Sequence, residues 1–282
     1  MRALLAVVVA AVAGGWTAPG PLLYEAACDR AIGARSIGRV ADRALDEISG
    51  IVASRSRPGV LWAHNDSGDE ARVYAVSVAG RLLQTVDVDR AVAVDWEDIA
   101  IGPGPRPGLD YLYIGDLGDN DREREAIAVY RFPEPQRGAR AARATPIALR
   151  YPDGPHDAEA LLVDPVRKQI VVLTKRIGGA GIYEAAFRGG MLRRAGSLPL
   201  VAPVTAADVA PLGDVVAVRT YLEVVLWRRP SGEPLRAAFR TRACRVPLHA
   251  GQGEALAFSG RGRALVAISE GIRSPIVELR PR

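Results

Sequence analysis

The sequence is poor in bulky apolar residues and in one of the two basic residues. Its 282 residues include only four Phe and two Met. Lysine occurs only at Lys168 and Lys175, although Lys and Arg together number 37. Because 49% of the residues are apolar, a full core is still available, and it must consist largely of small side chains. Thin layers of small apolar side chains suit stacked sheets.

Runs of like charge and long apolar runs are also scarce. The Arg residues are scattered and mark no nucleic-acid groove, so we expect no nucleic-acid partner. No apolar segment reaches the ~20 residues that a membrane-spanning helix needs. Residues 4–12 form a short apolar run behind the charged start at 1–3, which predicts a secretory signal over about residues 1–18. We therefore expect a secreted or cell-envelope protein with no membrane insertion after removal of the signal.

Several common catalytic motifs are missing. The sequence has no HExxH, no GxSxG elbow, no Walker loop and no GxGxxG before a helix. The three His residues lack the close spacing of a zinc site. Cysteine occurs only at Cys28 and Cys244, which suit one disulfide in an oxidising compartment or, alternatively, two buried free thiols.

The sequence does contain a motif that is repeated five times, in which polar or small residues precede a short apolar run. The copies lie at 47–53, 95–101, 157–163, 205–211 and 252–258. Their third residues stand at 49, 97, 159, 207 and 254, giving spacings of 48, 62, 48 and 47. A period in the forties with several short strands per unit predicts an all-β fold, a five-bladed β-propeller formed by residues 28–282 as a single domain.

The closure of this ring can also be predicted. Alternation and turn residues divide each repeat into four strands, with the outer strand of the fourth repeat at 235–239 and a long loop around 137–144 in the second. The fifth repeat contains only three strands. We expect residues 36–42 to supply its outer strand, which removes an open edge. A bond between Cys28 and Cys244 would then reinforce the closure.

Equivalent positions in the repeats predict a metal site on the propeller axis. Glu97, Glu159 and Glu254 hold the same inner-strand position, and three converging carboxylates repel one another unless a cation intervenes. Ser49 takes this position in the first blade, whereas Ala207 offers no ligand in the fourth. Because Ca²⁺ accepts oxygen ligands in a tolerant geometry, we predict Ca²⁺ bound by Ser49, Glu97, Glu159 and Glu254. Alternatively, the Glu side chains hydrogen-bond to backbone amides or waters between blades.

Basic and acidic residues at the ends of second strands fall on the same face. Lys175, Arg176 and Arg219 are predicted to form a cationic arc opposite the acidic side. A cation facing basic side chains suits a small phosphate-bearing ligand, because both can share the phosphoryl oxygens. Asp66 or Asp116 would serve as general base. The alternative is that all five are solvated rim charges.

Short segments spread along the chain resemble the calcium-activated nucleotidases, or apyrases. They include Glu47-Ile-Ser49-Gly-Ile, Leu61-Trp-Ala-His-Asn65-Asp66-Ser-Gly68, Asp95-Trp-Glu97, Thr174-Lys175-Arg176 and Gly253-Glu254-Ala-Leu. The resemblance implies a secreted five-bladed propeller with axial Ca²⁺ held by Ser49, Glu97, Glu159 and Glu254. It also implies that Asn65, Asp66, Lys175, Arg176 and Arg219 face a nucleotide or phosphate.

The chain departs from the family pattern in three places. The family has an acidic residue at the position of Gly50, a hydroxyl at that of Ala207, and two acids at that of Asn65-Asp66. Secreted phytase-like propellers share similar features, so other phosphate esters are also possible substrates.

These observations give one leading hypothesis and two alternatives. The leading hypothesis is an exported calcium-dependent phosphohydrolase that acts on a nucleotide or another phosphate ester. The first alternative is a non-catalytic propeller that binds a ligand or protein on the same face and keeps the ion as a structural element. The second is a surface protein with only a scaffold role.

Overall fold

The strands of this protein form five sheets arranged around a common axis. The computed structural model describes residues 22–248 and 253–282. Strands take up 53% of the residues and helices 6%, and the innermost strands contact one another in a closed order. The fold is therefore all-β, and the predicted five-bladed β-propeller is confirmed. The predicted signal at 1–18 lies outside the described residues, among which no helix is long and apolar enough to cross a bilayer.

Each blade is a sheet whose first strand lies at the axis. From the axis outward, blade 1 contains β2 (Ile48–Ala53), β3 (Val60–Asn65), β4 (Arg72–Ser77), β5 (Leu82–Asp89) and β9 (Ala141–Arg143). Blade 2 contains β6 (Trp96–Pro103), β7 (Asp110–Asp116), β8 (Ile127–Pro133), β10 (Thr145–Arg150) and β14 (Gly190–Met191). Blade 3 contains β11 (Ala158–Asp164), β12 (Gln169–Thr174), β13 (Ala180–Ala186) and β15 (Arg193–Leu198).

The remaining two blades follow the same plan. Blade 4 contains β16 (Val204–Val209), β17 (Val215–Thr220), β18 (Glu223–Arg228) and β19 (Cys244–Pro247). Blade 5 contains β20 (Gly253–Ser259), β21 (Ala264–Ser269), β22 (Pro275–Pro281) and β1 (Ile32–Arg39). Neighbouring strands within a blade are antiparallel, except that β9 and β14 run parallel to their partners β5 and β10.

The ring is closed by the strand that precedes blade 1. β1 pairs antiparallel with β22, the last strand of the chain, from Ile32 opposite Pro281 to Arg39 opposite Pro275. The prediction that a strand before blade 1 closes the ring is thus confirmed. The predicted range, 36–42, begins and ends later in the sequence than the observed strand, Ile32–Arg39. Residues 40–42 instead lead from the closing strand toward blade 1, where Ala41 N–H donates to the Gly80 carbonyl at 2.9 Å.

Five apolar clusters form the core, and each fills the interface between two neighbouring blades. Each inner strand packs against a neighbouring blade with both of its faces. β11, for example, is buried at every position. Its Leu161 packs toward blade 2, whereas the next residue, Leu162, packs toward blade 4. Burial on both faces explains why the inner strands read as continuous apolar runs rather than as an alternating pattern.

In four blades, the segment just before the outer strand packs against the preceding blade, and we call it the latch of that blade. The latch of blade 2 is β9, which pairs with β5 of blade 1, and the latch of blade 3 is β14, which pairs with β10 of blade 2. The latch of blade 4 is a 3₁₀ helix, Leu235–Arg240, that contacts β15 of blade 3. The latch of blade 5 is α1 (Leu23–Cys28), which contacts β18 and β19 of blade 4.

The latches correct two sequence predictions. The outer strand predicted at 235–239 is wrong, because this segment is the 3₁₀ latch and the outer strand of blade 4 is Cys244–Pro247. The loop predicted around 137–144 contains the strand β9. The extra residues of the second repeat therefore extend blade 1.

A disulfide fixes the last latch. Cys28 at the end of α1 is bonded to Cys244 on β19, so the alternative of two free thiols is excluded. The bond joins positions 216 residues apart in the sequence. Next to it, Tyr24 donates a hydrogen bond from its hydroxyl to the Arg242 carbonyl at 2.8 Å. The bond therefore ties the segment that enters the closing strand to blade 4.

We expect the double substitution Cys28→Ser, Cys244→Ser to lower the free energy of unfolding by about 2–4 kcal/mol, because the bond closes a very long loop in the unfolded chain. Urea denaturation of the variant and of wild-type protein, each with and without a reductant, would measure this loss. The reductant should weaken only the wild-type protein. Equal stability of the oxidised wild-type protein and the variant would contradict the expected effect.

Candidate functional site

Every inner strand carries a β-bulge at its second residue. Between β2 and β3, for example, the register shifts between Ile48 and Gly50, which leaves Ser49 as the bulged residue. Equivalent shifts occur in the other four blades. The five bulged residues are Ser49, Glu97, Glu159, Thr205 and Glu254. Because a bulge re-aims its side chain, these shifts turn five equivalent side chains toward the axis.

The bulges place the predicted residues Ser49, Glu97, Glu159 and Glu254 in equivalent positions and correct the fourth repeat. There, the equivalent residue is Thr205, not Ala207, because the register shift lies between Val204 and Ala206. The fourth blade therefore does present a hydroxyl at the axis. A sequence signal was available, since Glu159, Glu254 and Thr205 are each followed directly by an alanine.

Around the bulges lies a connected set of carboxyl groups, which we call the axial carboxylates. They are Asp66, Asp95, Glu97, Asp157, Glu159, Glu254 and Glu270. They form three groups, Asp66-Asp95-Glu97, Asp66-Glu254-Glu270 and Glu97-Asp157-Glu159, in each of which one oxygen per residue lies within 4.8 Å of the others. Asp66 and Glu97 each belong to two groups. The candidate site is thus larger than the predicted ring of bulged residues.

Burial, and then repulsion from neighbouring carboxyls, raise the pKa values of Asp95, Glu97 and Glu270. Burial, together with the nearby Asp66 and Asp157, raises the pKa of Asp95 to about 6. Burial raises the pKa of Glu270 to about 8, with a further contribution from its hydrogen-bonded neighbour Glu254. The pKa of Glu97 is raised well above its usual value by burial and then by Glu159. The axis therefore has a strong excess of negative potential.

Lys175 lies inside this acidic cluster. Its Nζ donates to Glu159 Oε1 at 2.5 Å, and burial still raises the pKa of Glu159 to about 7 despite the ammonium group. The second carboxyl oxygen, Glu159 Oε2, has no hydrogen-bond partner among the described residues, although Glu159 is only 2% exposed. A buried carboxylate oxygen without a donor is costly, so this atom marks a position where a cation would be stabilised.

Asp116 is held in a different way. It is buried, accepts the Asp95 backbone N–H at 3.1 Å, and forms an ion pair with Arg124 Nη2 at 2.8 Å. Arg124 also donates to the Gly118 carbonyl at 2.7 Å. Sequence reasoning missed Arg124, which stands in a loop of alternating Arg and Glu that gives no periodic signal.

Arg219 is buried between blades 4 and 5. Its Nη1 donates to the carbonyls of Ala255 at 2.7 Å and Ile268 at 2.6 Å, and burial lowers its pKa to about 10. A Cβ atom at Gly253 would lie 1.6 Å from Arg219 Nη2, so glycine leaves room for the guanidinium group. With Lys175 among the carboxylates and Arg219 buried, Arg176 is the member of the predicted cationic arc that is exposed at the rim.

Gly50 also has a steric explanation. A Cβ atom there would lie 2.3 Å from His64 Nε2, so the buried His64 ring occupies the space in which an acidic side chain would stand. Burial lowers the pKa of His64 to about 4, which keeps the ring neutral near pH 7. The segment that leads into β20, with His249 and Gln252, lies outside the described residues.

Two further carboxylates connect the blades near the axis. Asp98 accepts the Leu161 backbone N–H at 2.9 Å and the Ala207 N–H at 3.3 Å, and thereby joins blade 2 to blades 3 and 4. Asp208 accepts the Phe258 N–H at 2.7 Å and joins blade 4 to blade 5. The sequence left open that the axial Glu side chains accept hydrogen bonds from backbone amides of neighbouring blades. In the structure, Asp98 and Asp208 accept such bonds.

Comparison with known proteins supports the fold and goes no further. No family model and no curated protein matches the sequence. A luciferin-regenerating enzyme has a similar structure, with a TM-score of 0.51 and 9% identity over 88% of this chain and 95% of that chain. The WD40 repeats of RRP9 align with a TM-score of 0.45 and 14% identity over 83% of this chain and 80% of that chain. Kuenenia stuttgartiensis hydrazine synthase aligns with a TM-score of 0.44 and 13% identity, over 81% and 75%.

The two arginines that the sequence placed in one arc should respond differently to substitution. Arg219→Met leaves two buried carbonyls without a donor, so we expect a loss of about 2–3 kcal/mol in the free energy of unfolding. Arg176→Met, at an exposed position, should change it by no more than about 0.5 kcal/mol. Chemical denaturation of both variants measures this contrast, and similar losses in the two would contradict it.

Proposed function

We propose that the axial carboxylates bind a divalent cation and that Ca²⁺ fits them best. The observation that carries the proposal is the buried, unpartnered Oε2 of Glu159 at the centre of a carboxyl cluster. The described groups offer only oxygen ligands, which favours a hard cation. Glu97, Glu159 and Asp157 would hold it, and Glu254 would complete the site.

Hydroxyl groups at the other two bulges suit the same ion. The Ser49 hydroxyl donates to the Glu97 carbonyl at 2.6 Å, and the Thr205 hydroxyl donates to the Gly253 carbonyl at 2.9 Å. Each hydroxyl therefore keeps its own lone pairs for a cation. With Thr205 in the fourth blade, the hydroxyl that the apyrase pattern requires has a counterpart in this chain.

We further propose that the protein is an exported phosphohydrolase acting on a nucleotide or another phosphate ester. Calcium, when bound, would polarise the phosphoryl oxygens and acidify a water molecule. The resemblance to the apyrases supports this class of reaction, and the disulfide supports an oxidising compartment.

Asp66 is the better of the two candidate general bases. One of its oxygens accepts the Ser67 N–H at 2.6 Å, and the other is available to take a proton. Burial raises the pKa of Asp66, which moves it toward the range that suits a general base. Asp116 is engaged by Arg124 and would position the loop after β7. Lys175 and Arg176 would stabilise charge on the phosphoryl group.

A non-catalytic propeller with a structural ion is the second candidate function. The engagement of Lys175 by Glu159 and the burial of Arg219 favour it, because two of the three predicted phosphate contacts already serve the fold. In that case the ion would stabilise the ring without turnover.

We expect saturating Ca²⁺ to raise the Tm of the disulfide-bonded protein by roughly 5–10 °C, as ligand at about 100 times its Kd contributes about 2.7 kcal/mol. Glu159→Gln should remove most of this shift, because it deletes the charge at the unpartnered oxygen. Glu184→Gln is a matched control, since Glu184 is also buried but pairs with Arg193 and Arg236. Loss of the calcium shift in both variants, or in neither, would argue against the axial site.

Catalysis itself is tested by phosphate release from nucleoside di- and triphosphates, phytate and a phosphomonoester, with Ca²⁺ or with chelator. Calcium-dependent release that Glu159→Gln abolishes and Glu184→Gln preserves would support the hydrolase. A calcium shift in Tm without release from any substrate would favour the structural ion. The Asp66→Asn variant should lose at least tenfold in rate while it retains calcium binding.

A further inference from the structure

A small basic pocket lies beside the axial carboxylates, between the loop after β7 of blade 2 and blade 3. It has a volume of about 160 Å³, well below the roughly 300–1,000 Å³ of drug-sized sites. Its walls are Arg122, His156, Asp157, Thr174, Lys175 and Arg176. Asp157 is itself an axial carboxylate, and Lys175 pairs with another one, so the pocket adjoins the proposed cation site directly.

Two arginines in this pocket have free guanidinium groups. Neither Arg122 nor Arg176 makes a hydrogen bond or ion pair through its side chain with the residues that the structure describes. Arg124, only two residues from Arg122, is by contrast fully engaged by Asp116 and Gly118. Lys175 donates one N–H to Glu159, and the ammonium group has other N–H donors besides it. The pocket thus offers donors for an oxyanion.

The loop that carries Arg122 is fixed to the axial site. Asp119 accepts the backbone N–H groups of Glu123 at 2.8 Å and Arg124 at 3.0 Å, which folds the loop back on itself. The N–H of Asp119 donates to Asp157 Oδ1 at 3.0 Å. Arg122 is therefore held beside Asp157 by hydrogen bonds that are buried or partly buried.

A second, larger pocket of about 400 Å³ shares His156, Thr174 and Arg176 with the small one. Tyr183 and Ile177 give it an aromatic and an aliphatic wall. In the shared wall, His156 Nε2 lies 3.1 Å from Asp153 Oδ1 and 2.9 Å from the Tyr183 hydroxyl. This volume falls within the range of small-molecule sites.

We propose that these two pockets form the substrate site, with the phosphoryl group in the small pocket and the organic group in the large one. The inference rests on the proposed cation. Without it, the axial carboxylates would repel an anion at Asp157. With it, Arg122, Arg176 and Lys175 complete a cationic enclosure. Calcium and phosphate should therefore bind with positive coupling, each raising the affinity for the other by the same factor.

Isothermal titration with inorganic phosphate tests the small pocket, in protein with Ca²⁺ and in protein with chelator. We expect binding to be at least tenfold tighter with Ca²⁺. Arg122→Ala should weaken phosphate binding about tenfold and leave the calcium-dependent Tm shift unchanged. Arg188→Ala is the matched control, because it removes the same charge from an exposed turn at the opposite end of β13.

Phenyl phosphate tests the large pocket. Ile177→Ser, at a side chain that is 84% exposed, should weaken phenyl phosphate at least threefold and leave inorganic phosphate unchanged. Val166→Ser, at another exposed apolar residue of blade 3, should affect neither ligand.

The outcomes separate this inference from the proposed function. Phosphate affinity that is unchanged in Arg122→Ala, or indifferent to Ca²⁺, would overturn the two-pocket site even if the protein hydrolyses phosphate esters. Coupled binding of calcium and phosphate without turnover would support the two-pocket site and refute the hydrolase. An absent calcium shift in Tm, with no phosphate binding, would overturn both.

Discussion

A ring of sheets depends on contact between every pair of neighbouring blades, because one open interface would expose two apolar faces at once. Here each interface holds its own apolar cluster. The latches add a second attachment at the outer edge of four interfaces, through β9, β14, the 3₁₀ helix and α1. The same devices cover strand edges that would otherwise be open to pairing with other chains.

Whereas the interfaces between blades are apolar, the axis holds polar and charged side chains. Small side chains let the inner strands approach closely, and the bulges then direct polar groups into the narrow space that remains. Such a space has a high electrostatic cost when it holds several carboxylates, and Lys175 and Arg124 offset only part of it. Burial also raises the pKa of Asp98 and of Asp208, but backbone N–H groups donate to the oxygens of both and offset part of this cost. Asp98 and Asp208 accept backbone hydrogen bonds and connect blades, whereas Glu159 Oε2 has no hydrogen-bond donor among the described residues. The first two carboxyls therefore serve the fold, and the third marks the part of the axis that suits a ligand.

The repeat was sufficient to predict the five blades, the closing strand and the bulged Glu residues, since each depends on the local apolar pattern. The apolar spacing alone pointed to Ala207 rather than Thr205, because a bulge shifts the register by an amount that this spacing does not record; the alanine after the bulged residue was the usable signal. Leu235–Arg240, predicted as a strand, consists mostly of the helix formers Leu, Arg and Ala, and it forms a 3₁₀ helix that contacts blade 3. Arg219 was predicted to belong to a cationic arc, but its partners are carbonyls of the next blade, and no short sequence window contains such a contact.

The closing strand also has a consequence for the order of folding. β1 is synthesised long before its partner β22, because all the other described strands lie between them in the sequence. Until β22 is made, β1 has no native strand to pair with, and until blade 4 is made, α1 has no blade to pack against. Such pairing over nearly the whole chain slows folding and leaves strand edges open to aggregation in the meantime. We therefore expect β1 to be most exposed to mispairing in the interval before β22 has been synthesised.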